Sequence, residues 1–211
     1  MTDPSISPPV VQYATVTTLI NSPFLEISML PTIQAADIIV TNSSNLQSRG
    51  IQGATCATYS HAILVLNNQD CIEATPQGGV AQRPLGRILS ESSKVDLFRY
   101  RGITNFHAQK VCASILQFEG KPYDFRGAVR SAISSGCSNV KRLLPATVLI
   151  EVADEVLKDQ AEHDSQFYCS ELIVRAFEVA GLFVTKHPAH AVSPGGLVKS
   201  ETLQFVKALK A

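Results

Sequence analysis

Hydrophobic positions repeat with helical spacing in the stretch that follows Cys169. Apolar residues fall on one face of a helix here: Leu172, Ile173, Ala176, Phe177 and Ala180. Gly181 comes next, where a helix C-terminus favours a residue that tolerates positive φ. Upstream, Asp164 or Ser165 is available to cap the first turn. The pattern therefore predicts a helix whose first turn carries Cys169.

Short runs of β-branched and apolar residues predict strands in the first half of the chain. We expect strands at 35–41, 59–66, 71–74 and 95–100. Polar residues at 42–53 predict a loop, and those at 67–70 predict a turn. The strands at 59–66 and 71–74 are then close enough along the chain to form a hairpin.

Helical spacing dominates the second half. It predicts helices at 104–118, 125–133 and 148–160, followed by the Cys169 helix and a last apolar segment around 203–209. Strands early and helices later indicate an α+β class, with helices on one side of an antiparallel sheet. Residues 1–30 are rich in Pro, Ser and Thr and predict an N-terminal arm. The compact domain is expected at 31–211, with a long helical insertion at about 126–165.

Composition and charge exclude several classes of function. The 211 residues suit a single domain, and 18 Lys and Arg balance 18 Asp and Glu. No basic excess favours binding to nucleic acid or to an anionic membrane. The five cysteines include no CxxC pair, so we expect neither a disulfide framework nor a metal site, and no cofactor. Without a signal-peptide pattern or a spanning apolar run, we expect a cytoplasmic protein with no stable membrane anchor, although signal-independent export is left open.

Cys169 is a candidate nucleophile because of its position in the helix. A first turn places the thiol near unpaired backbone N–H groups and the positive end of the helix dipole, which lowers a thiol pKa. Cys169 also lies on the apolar face of the helix, and free cysteine is often buried. The helix by itself therefore leaves two alternatives open, a core thiol and a nucleophile.

A thiol nucleophile needs a base, and the base needs an orienting group. His61 begins the most apolar predicted strand. The other four histidines are expected to be solvated, His107 in a helix, His163 in a polar stretch, and His187 and His190 in a loop. Taken in isolation, His61 also fits a core histidine with satisfied ring nitrogens. Glu73 shares a face with His61 if Ile63 pairs with it, and a one-residue shift of register would put it on the opposite face. Asp37 is a second candidate carboxylate for orienting His61.

Four motifs occur in an order that resembles a known family. They read Ser-His-Ala-Ile-Leu-Val at 60–65, Glu-Ala-Thr-Pro at 73–76, Gly-Lys-Pro-Tyr-Asp-Phe at 120–125 and Phe-Tyr-Cys-Ser-Glu-Leu at 167–172. This order resembles that of the circularly permuted NlpC-like cysteine hydrolases, the YiiX-like amidases and peptidases of the papain fold. More distantly, the chain resembles the lecithin-retinol acyltransferase group. The similarity covers about residues 35 to 200.

The resemblance implies a permuted papain-like fold, with an antiparallel sheet or small barrel packed against helices and the catalytic cysteine at a helix N-terminus. It implies that Cys169 is the nucleophile, His61 the general base and Glu73 the residue that orients the imidazole. The backbone N–H of Cys169 would contribute to an oxyanion hole. Candidate residues of the substrate cleft are Tyr123, Tyr168, Asp37 and Ser60.

The resemblance also implies a reaction class, the cleavage of an amide or peptide bond through a thioacyl-enzyme. Peptidoglycan peptides are one expected substrate, in which case the protein would be a secreted antibacterial effector with an inhibitor or immunity protein as its partner. Two alternatives stay open: an acyltransferase or thioesterase acting on fatty-acyl lipids, and an inactive papain-fold binding module. The connection between Asp124 and Tyr168 looks longer than is usual in the family, which suggests a lid or a partner surface.

Overall fold

The computed structural model describes residues 33–43, 59–134 and 165–210. The predicted arm at 1–30 and the predicted helix at 148–160 lie outside the described residues. Most of the predicted insertion at 126–165 and of the predicted loop at 42–53 also lies outside them.

Within the described ranges, six strands form one antiparallel sheet. They are β1 Ile38–Ser43, β2 His61–Val65, β3 Asp70–Thr75, β4 Gly79–Pro84, β5 Ser92–Tyr100 and β6 Leu203–Lys210. The strand order is β4-β3-β2-β1-β5-β6, so the two strands that carry the motif residues His61 and Glu73 are neighbours. The four predicted strands are confirmed, with ends shifted by up to three residues.

The two outer strands, β4 and β6, were not predicted. Each is an edge strand with a partly exposed face, and β6 alternates buried or half-buried with exposed positions. Such strands need fewer apolar residues than central ones, so their patterns are weak. Residues 203–209 had been recognised only as an apolar segment.

The helices are α1 Leu85–Glu91, α2 Asn105–Leu116, α3 Phe125–Ser134, α4 Cys169–Val179 and the short α5 Pro194–Leu197, with a 3₁₀ turn at Ala189–Ala191. The expected helices at 104–118 and 125–133 are confirmed as α2 and α3. Thr104 caps α2 by accepting a hydrogen bond from the backbone N–H of His107. None of the helices in the described ranges is long and apolar enough to cross a membrane.

Both faces of the sheet are apolar, because the central strand β2 is buried on each side. Its residues Ala62 and Leu64 belong to the core that contains α2 and α4, whereas Ile63 and Val65 pack in a second core with α1. The α+β class is thus confirmed, but the expectation that helices occupy one side of the sheet is wrong. The short helix α1 covers the other side, which a run of consecutive buried residues requires.

Helix α4 has the buried face that the apolar spacing predicted, and Gly181 follows it with a φ of +83°. The N-cap is Tyr168, which makes no side-chain capping bond, so the expected cap at Ser165 is wrong. The reason is local: Phe167 forms a parallel bridge with Tyr123, which keeps the backbone before α4 out of the helix. The other cap candidate, Asp164, lies outside the described residues.

Gly79 brings the 120–125 motif against the edge of the sheet. Its φ is +59°, and a Cβ at this position would clash with the carbonyl oxygen of Lys121. The backbone of Val80 donates to Lys121 at 2.8 Å and accepts from Gly120 at 2.8 Å. The loop that follows α2 thus covers the outer edge of β4 and leads the chain towards Tyr123.

Candidate active site

The side chains of His61 and Glu73 meet across two neighbouring strands. His61 is the first residue of β2, and its Nε2 atom lies 2.7 Å from Oε2 of Glu73 in β3. The strands pair Leu64 with Ile72 and Val65 with Cys71. Continued by one residue, this register puts Ile63 opposite Glu73, so that Glu73 shares a face with His61.

Burial and charge act in opposite directions on His61. Its side chain is 20% exposed and that of Glu73 is 9% exposed. Burial alone would lower the pKa of His61, but the hydrogen bond with Cys169 and the carboxylate of Glu73 outweigh it and raise the pKa to about 10. The imidazole is therefore protonated at neutral pH.

Cys169 is the first residue of α4 and is only 5% exposed. Burial raises the pKa of its thiol, but the hydrogen bond with His61 and the charge of His61 lower it, as do the backbone N–H groups of Ala62 and Ser170. The net effect lowers the pKa below its ordinary value. The structure therefore brings together Cys169, His61 and Glu73, and it favours a thiolate beside an imidazolium.

Glu73 is held in its charged form although it is buried. Burial raises the pKa of its carboxyl, whereas the hydrogen bond and charge of His61 and the guanidinium of Arg83 lower it, with a lowered pKa as the result. Arg83 Nε lies 3.5 Å from Oε1 of Glu73, the oxygen that does not contact His61. Sequence reasoning missed Arg83, because β4 was not recognised as a strand beside β3.

Asp37 does not contact His61. It is fully buried, and its carboxylate accepts two hydrogen bonds from Arg99, with Nε at 2.6 Å and Nη2 at 2.8 Å. It also accepts the backbone N–H of Gln34 at 2.8 Å. The structure therefore places this carboxylate in an ion pair with Arg99 just before β1, and not against the imidazole.

The two tyrosines occupy different environments. Tyr123 is half-buried, and burial together with the negative charges of Cys169 and Asp124 raises the pKa of its phenol. Tyr168 is buried, and its hydroxyl donates to the carbonyl oxygens of Ala189 and Val192, at 3.2 Å each. Tyr123 thus lies within electrostatic range of the thiol, whereas Tyr168 anchors the segment that packs on the start of α4.

Two serines in the motifs make hydrogen bonds that join neighbouring segments. Ser170 donates from its hydroxyl to the carbonyl oxygen of Val192 at 2.6 Å, which ties α4 to the segment before α5. Ser60 is buried, and its backbone N–H donates to the carbonyl oxygen of Thr41 at 3.0 Å. Ser60 therefore extends the pairing of β1 and β2 and positions His61, the next residue.

Glu171 is a buried ionisable residue that the sequence analysis noted only as part of a motif. It lies two residues after Cys169 and is fully buried, and neither of its carboxylate oxygens has a hydrogen-bond partner among the residues that the structure describes. Burial and the charge of Asp124 raise the pKa of this carboxyl to about 8, and Arg175 and the nearby backbone N–H of Tyr168 lower it only in part. The sequence did contain a signal for the burial of Glu171, because it lies in a predicted helix beside the apolar residues Leu172 and Ile173.

The remaining thiols differ from Cys169. Burial and the negative charges of Glu73 and Asp70 raise the pKa of Cys71 to about 12, and burial also raises the pKa of Cys112. Among the described residues, no group of three or more His, Cys, Asp or Glu side chains could hold a metal ion. Of the thiols in these ranges, only that of Cys169 has a lowered pKa.

The chain is similar to two curated proteins and to solved structures, of which one is described below, while no protein-family model matches it. The probable lipoprotein peptidase YaeF of Escherichia coli K12 is 25% identical over 198 residues, which cover 85% of this chain and 72% of YaeF. The uncharacterized protein YiiX of the same strain is 33% identical over 96 residues, which cover 44% of this chain and 48% of YiiX.

The solved structure is the metalloprotein yiiX of Escherichia coli O157:H7, DUF1105. It superposes with a TM-score of 0.59 at 22% identity and covers 84% of this chain and 98% of its own. At this identity the likeness shows the fold alone, an α+β arrangement of an antiparallel sheet with helices. Together with the two sequence matches, it shows that the chain is a homologue of YaeF and YiiX.

Proposed function

We propose that this protein is a cysteine peptidase or amidase that uses Cys169 as nucleophile, His61 as general acid and base, and Glu73 to orient the imidazole. The observation that supports the proposal is the arrangement of three groups. The buried thiol of Cys169 at the start of α4 is hydrogen-bonded to the imidazole of His61, and the carboxylate of Glu73 lies 2.7 Å from that imidazole. Nucleophile, base and orienting group in this order are the requirement for thiol catalysis.

In the proposed reaction, the Cys169 thiolate attacks the carbonyl carbon of an amide. The C–N bond then breaks while the His61 imidazolium gives its proton to the leaving amine. Water, deprotonated by the now neutral His61, attacks the thioester and releases the carboxylic acid, after which the thiolate and imidazolium are restored. Glu73 keeps the imidazole oriented and its charged form stable throughout.

The start of α4 supplies donors for the oxyanion. The backbone N–H of Cys169 is at the N-terminus of the helix, where the first N–H groups have no partner within the helix. We assign this group to the oxyanion hole, in which it donates to the tetrahedral intermediate. The positive end of the helix dipole favours the negative charges that develop there.

For the substrate, we propose a peptide-type amide. The name of the relative YaeF as a probable lipoprotein peptidase supports this class. Short peptidoglycan peptides are the finer candidate, with export as an antibacterial effector. No feature of the described residues favours a fatty-acyl lipid as the substrate. Lipids are therefore included only as a comparison in the test.

A metal ion has no place in this mechanism. The solved relative is described as a metalloprotein, but in the described part of this chain no cluster of three or more potential ligand side chains is present. The side chains of His61 and Glu73 are hydrogen-bonded to each other. The residues in the described ranges therefore do not fit a metal centre, and the proposed steps use none.

The test is mass spectrometry of digests of purified peptidoglycan, of a peptide library and of an acyl-lipid panel. The natural chain is compared with Cys169→Ala and with Cys112→Ala, a matched variant that removes a thiol with a raised pKa. We expect amide cleavage by the natural chain and by Cys112→Ala, and none by Cys169→Ala. Equal cleavage by Cys169→Ala would overturn the proposal, and products from lipids alone would replace the substrate class.

A further inference from the structure

We propose that Arg83 is a positioning residue for the Cys169–His61–Glu73 site: it holds the Glu73 carboxylate with one oxygen towards His61. The inference rests on the proposed function and adds a fourth side chain to it. Arg83 lies on the edge strand β4 and reaches no substrate atom in this scheme. Its effect passes through Glu73.

The strand register brings Arg83 to Glu73. Strands β3 and β4 pair Cys71 with Arg83 and Glu73 with Ala81. Cys71 and Glu73 lie two residues apart on β3 and therefore face the same side of the sheet, so Arg83 is a diagonal neighbour of Glu73. A long side chain spans this distance, and Arg83 Nε lies 3.5 Å from Glu73 Oε1.

Each oxygen of Glu73 therefore has its own partner. Oε2 lies 2.7 Å from His61 Nε2, and Oε1 faces Arg83. Rotation of the carboxylate would exchange or break both contacts at once. Arg83 thereby restricts the carboxylate to the orientation in which it meets the imidazole.

The charge of Arg83 is a second reason to assign it a positioning role at Glu73. Four groups act on Glu73: His61 from β2, Arg83 from β4, the thiol of Cys71 on its own strand, and the more distant charge of Arg87 on α1. In the proposed reaction His61 loses its positive charge when it protonates the leaving group. Arg83 stays charged in every step, because a guanidinium is not deprotonated in proteins. It therefore keeps the buried carboxylate paired while the imidazole is neutral.

The turn between β3 and β4 leaves room for the guanidinium. A Cβ built on Gly78 would lie 2.7 Å from Arg83 Nη2 and 3.9 Å from its Cζ. The φ of Gly78 is outside the positive range, so alanine at this position is not strained by its backbone. Gly78→Ala would therefore displace the flexible end of Arg83 while leaving its charge in the chain.

The alternative is that the Arg83–Glu73 ion pair has no effect on the orientation or the pKa of Glu73. The Arg83 side chain is 35% exposed, and pairs near the surface often contribute little. Stability alone does not separate the two cases. The discriminating quantities are the pKa of the Glu73 carboxyl, which rises when a positive charge held close to it is removed, and the division of any activity loss between kcat and KM.

The experiment compares Arg83→Gln, Arg83→Lys and Gly78→Ala with Arg87→Gln, an exposed arginine on α1 that pairs with Glu91. The pKa of Glu73 is measured by carbon NMR in a Cys169→Ala background. Turnover of a peptide substrate and the rate of Cys169 alkylation are measured with the cysteine intact.

For Arg83→Gln we expect a raised pKa of Glu73 and a fall in kcat of roughly three- to tenfold with little change in KM. Gly78→Ala should change both in the same direction, and Arg83→Lys should restore part of the loss. Arg87→Gln should change both far less than Arg83→Gln does, because its charge is more distant from Glu73. An unchanged pKa of Glu73 in Arg83→Gln, or an unchanged kcat, would overturn the role of Arg83.

Failure of the proposed function is recognised separately. If the natural chain cleaves no amide, the proposed function fails. The hold of Arg83 on Glu73 is then decided by the pKa of the carboxyl and by the alkylation rate of Cys169, neither of which needs turnover. If the pKa of Glu73 and the alkylation rate of Cys169 are the same in Arg83→Gln as in Arg87→Gln, the positioning role of Arg83 is also disproved.

Discussion

The Nε2 atom of His61 lies 2.7 Å from Oε2 of Glu73, on a neighbouring strand. This contact joins residues that are twelve positions apart in the chain, and it exists because the hairpin of β2 and β3 has one particular register. It couples the charge of a buried carboxylate to an imidazole that also contacts Cys169. The protonation state of the Cys169 thiol therefore depends on Glu73, which acts on it through His61.

Glu73→Gln tests this dependence. The amide keeps the shape of the side chain but loses its charge, so the pKa of His61 should fall and that of Cys169 should rise. We expect kcat/KM for a peptide substrate to fall by at least about tenfold, and Cys169 alkylation near neutral pH to slow. Glu91→Gln, an exposed glutamate on α1, is the control. If Glu73→Gln behaves like Glu91→Gln, Glu73 does not orient the imidazole.

The reactivity of Cys169 should depend on pH in a way that an ordinary thiol does not. Its lowered pKa predicts alkylation by iodoacetamide well below the pH of about 8.5 at which free thiols ionise. Cys112, whose pKa is raised, should react only at higher pH. Peptide-level mass spectrometry measures both in one sample, and parallel pH profiles for the two would contradict the thiolate–imidazolium pair.

Turnover should fall at alkaline pH for a different reason. The pKa of His61 is raised to about 10, so the imidazolium that protonates the leaving amine persists from neutral pH upwards and is lost as the pH rises through that value. The alkylation rate should not fall over the same range, because the thiolate remains. A fall in kcat centred near the ordinary pKa of histidine would disprove the raised value.

Asp37→Asn should affect stability and leave the thiol unchanged. The substitution removes the charge that pairs with the partly buried guanidinium of Arg99, and breaking such a pair costs on the order of 3 kcal/mol in unfolding free energy. Denaturant unfolding measures the loss, and Glu178→Gln, from a more exposed pair with Arg175, should cost much less. A changed alkylation rate of Cys169 in folded Asp37→Asn would show instead that Asp37 acts on the site.

Glu171→Gln should change how stability varies with pH. The pKa of Glu171 rises from its ordinary value of 4.5 to about 8 on folding, so its favourable contribution is complete below 4.5 and is lost as the pH rises through about 8. Glutamine has no proton to lose. The unfolding free energy of Glu171→Gln relative to the natural chain should therefore increase by up to roughly 4 kcal/mol between about pH 4 and pH 8.

Thermal unfolding at a series of pH values measures this difference. Because the other titrating groups are common to both chains, they cancel in the comparison. Parallel curves for Glu171→Gln and the natural chain would mean that the carboxyl is not held in its neutral form at position 171.

Much of the fold follows from local patterns. The spacing of Leu172, Ile173, Ala176 and Phe177 determined helix α4 and placed Cys169 at its start, because one turn of helix returns each apolar residue to the same face. Runs of β-branched residues located β1, β2, β3 and β5. Edge strand β4 was not predicted, since it carries too few apolar residues to be distinguished from a loop, whereas β6 was recognised only as an apolar segment of unassigned structure.

The sequence by itself therefore determined which groups were available, a cysteine at a helix start, a histidine at a strand start and two carboxylates. Only the tertiary structure decided which carboxylate contacts the imidazole. Glu73 does so through the register of a hairpin, and Asp37 is bonded instead to Arg99, which is 62 residues away. Strand register and long-range ion pairs depend on how whole elements pack, and the local periodicity of a chain does not encode them.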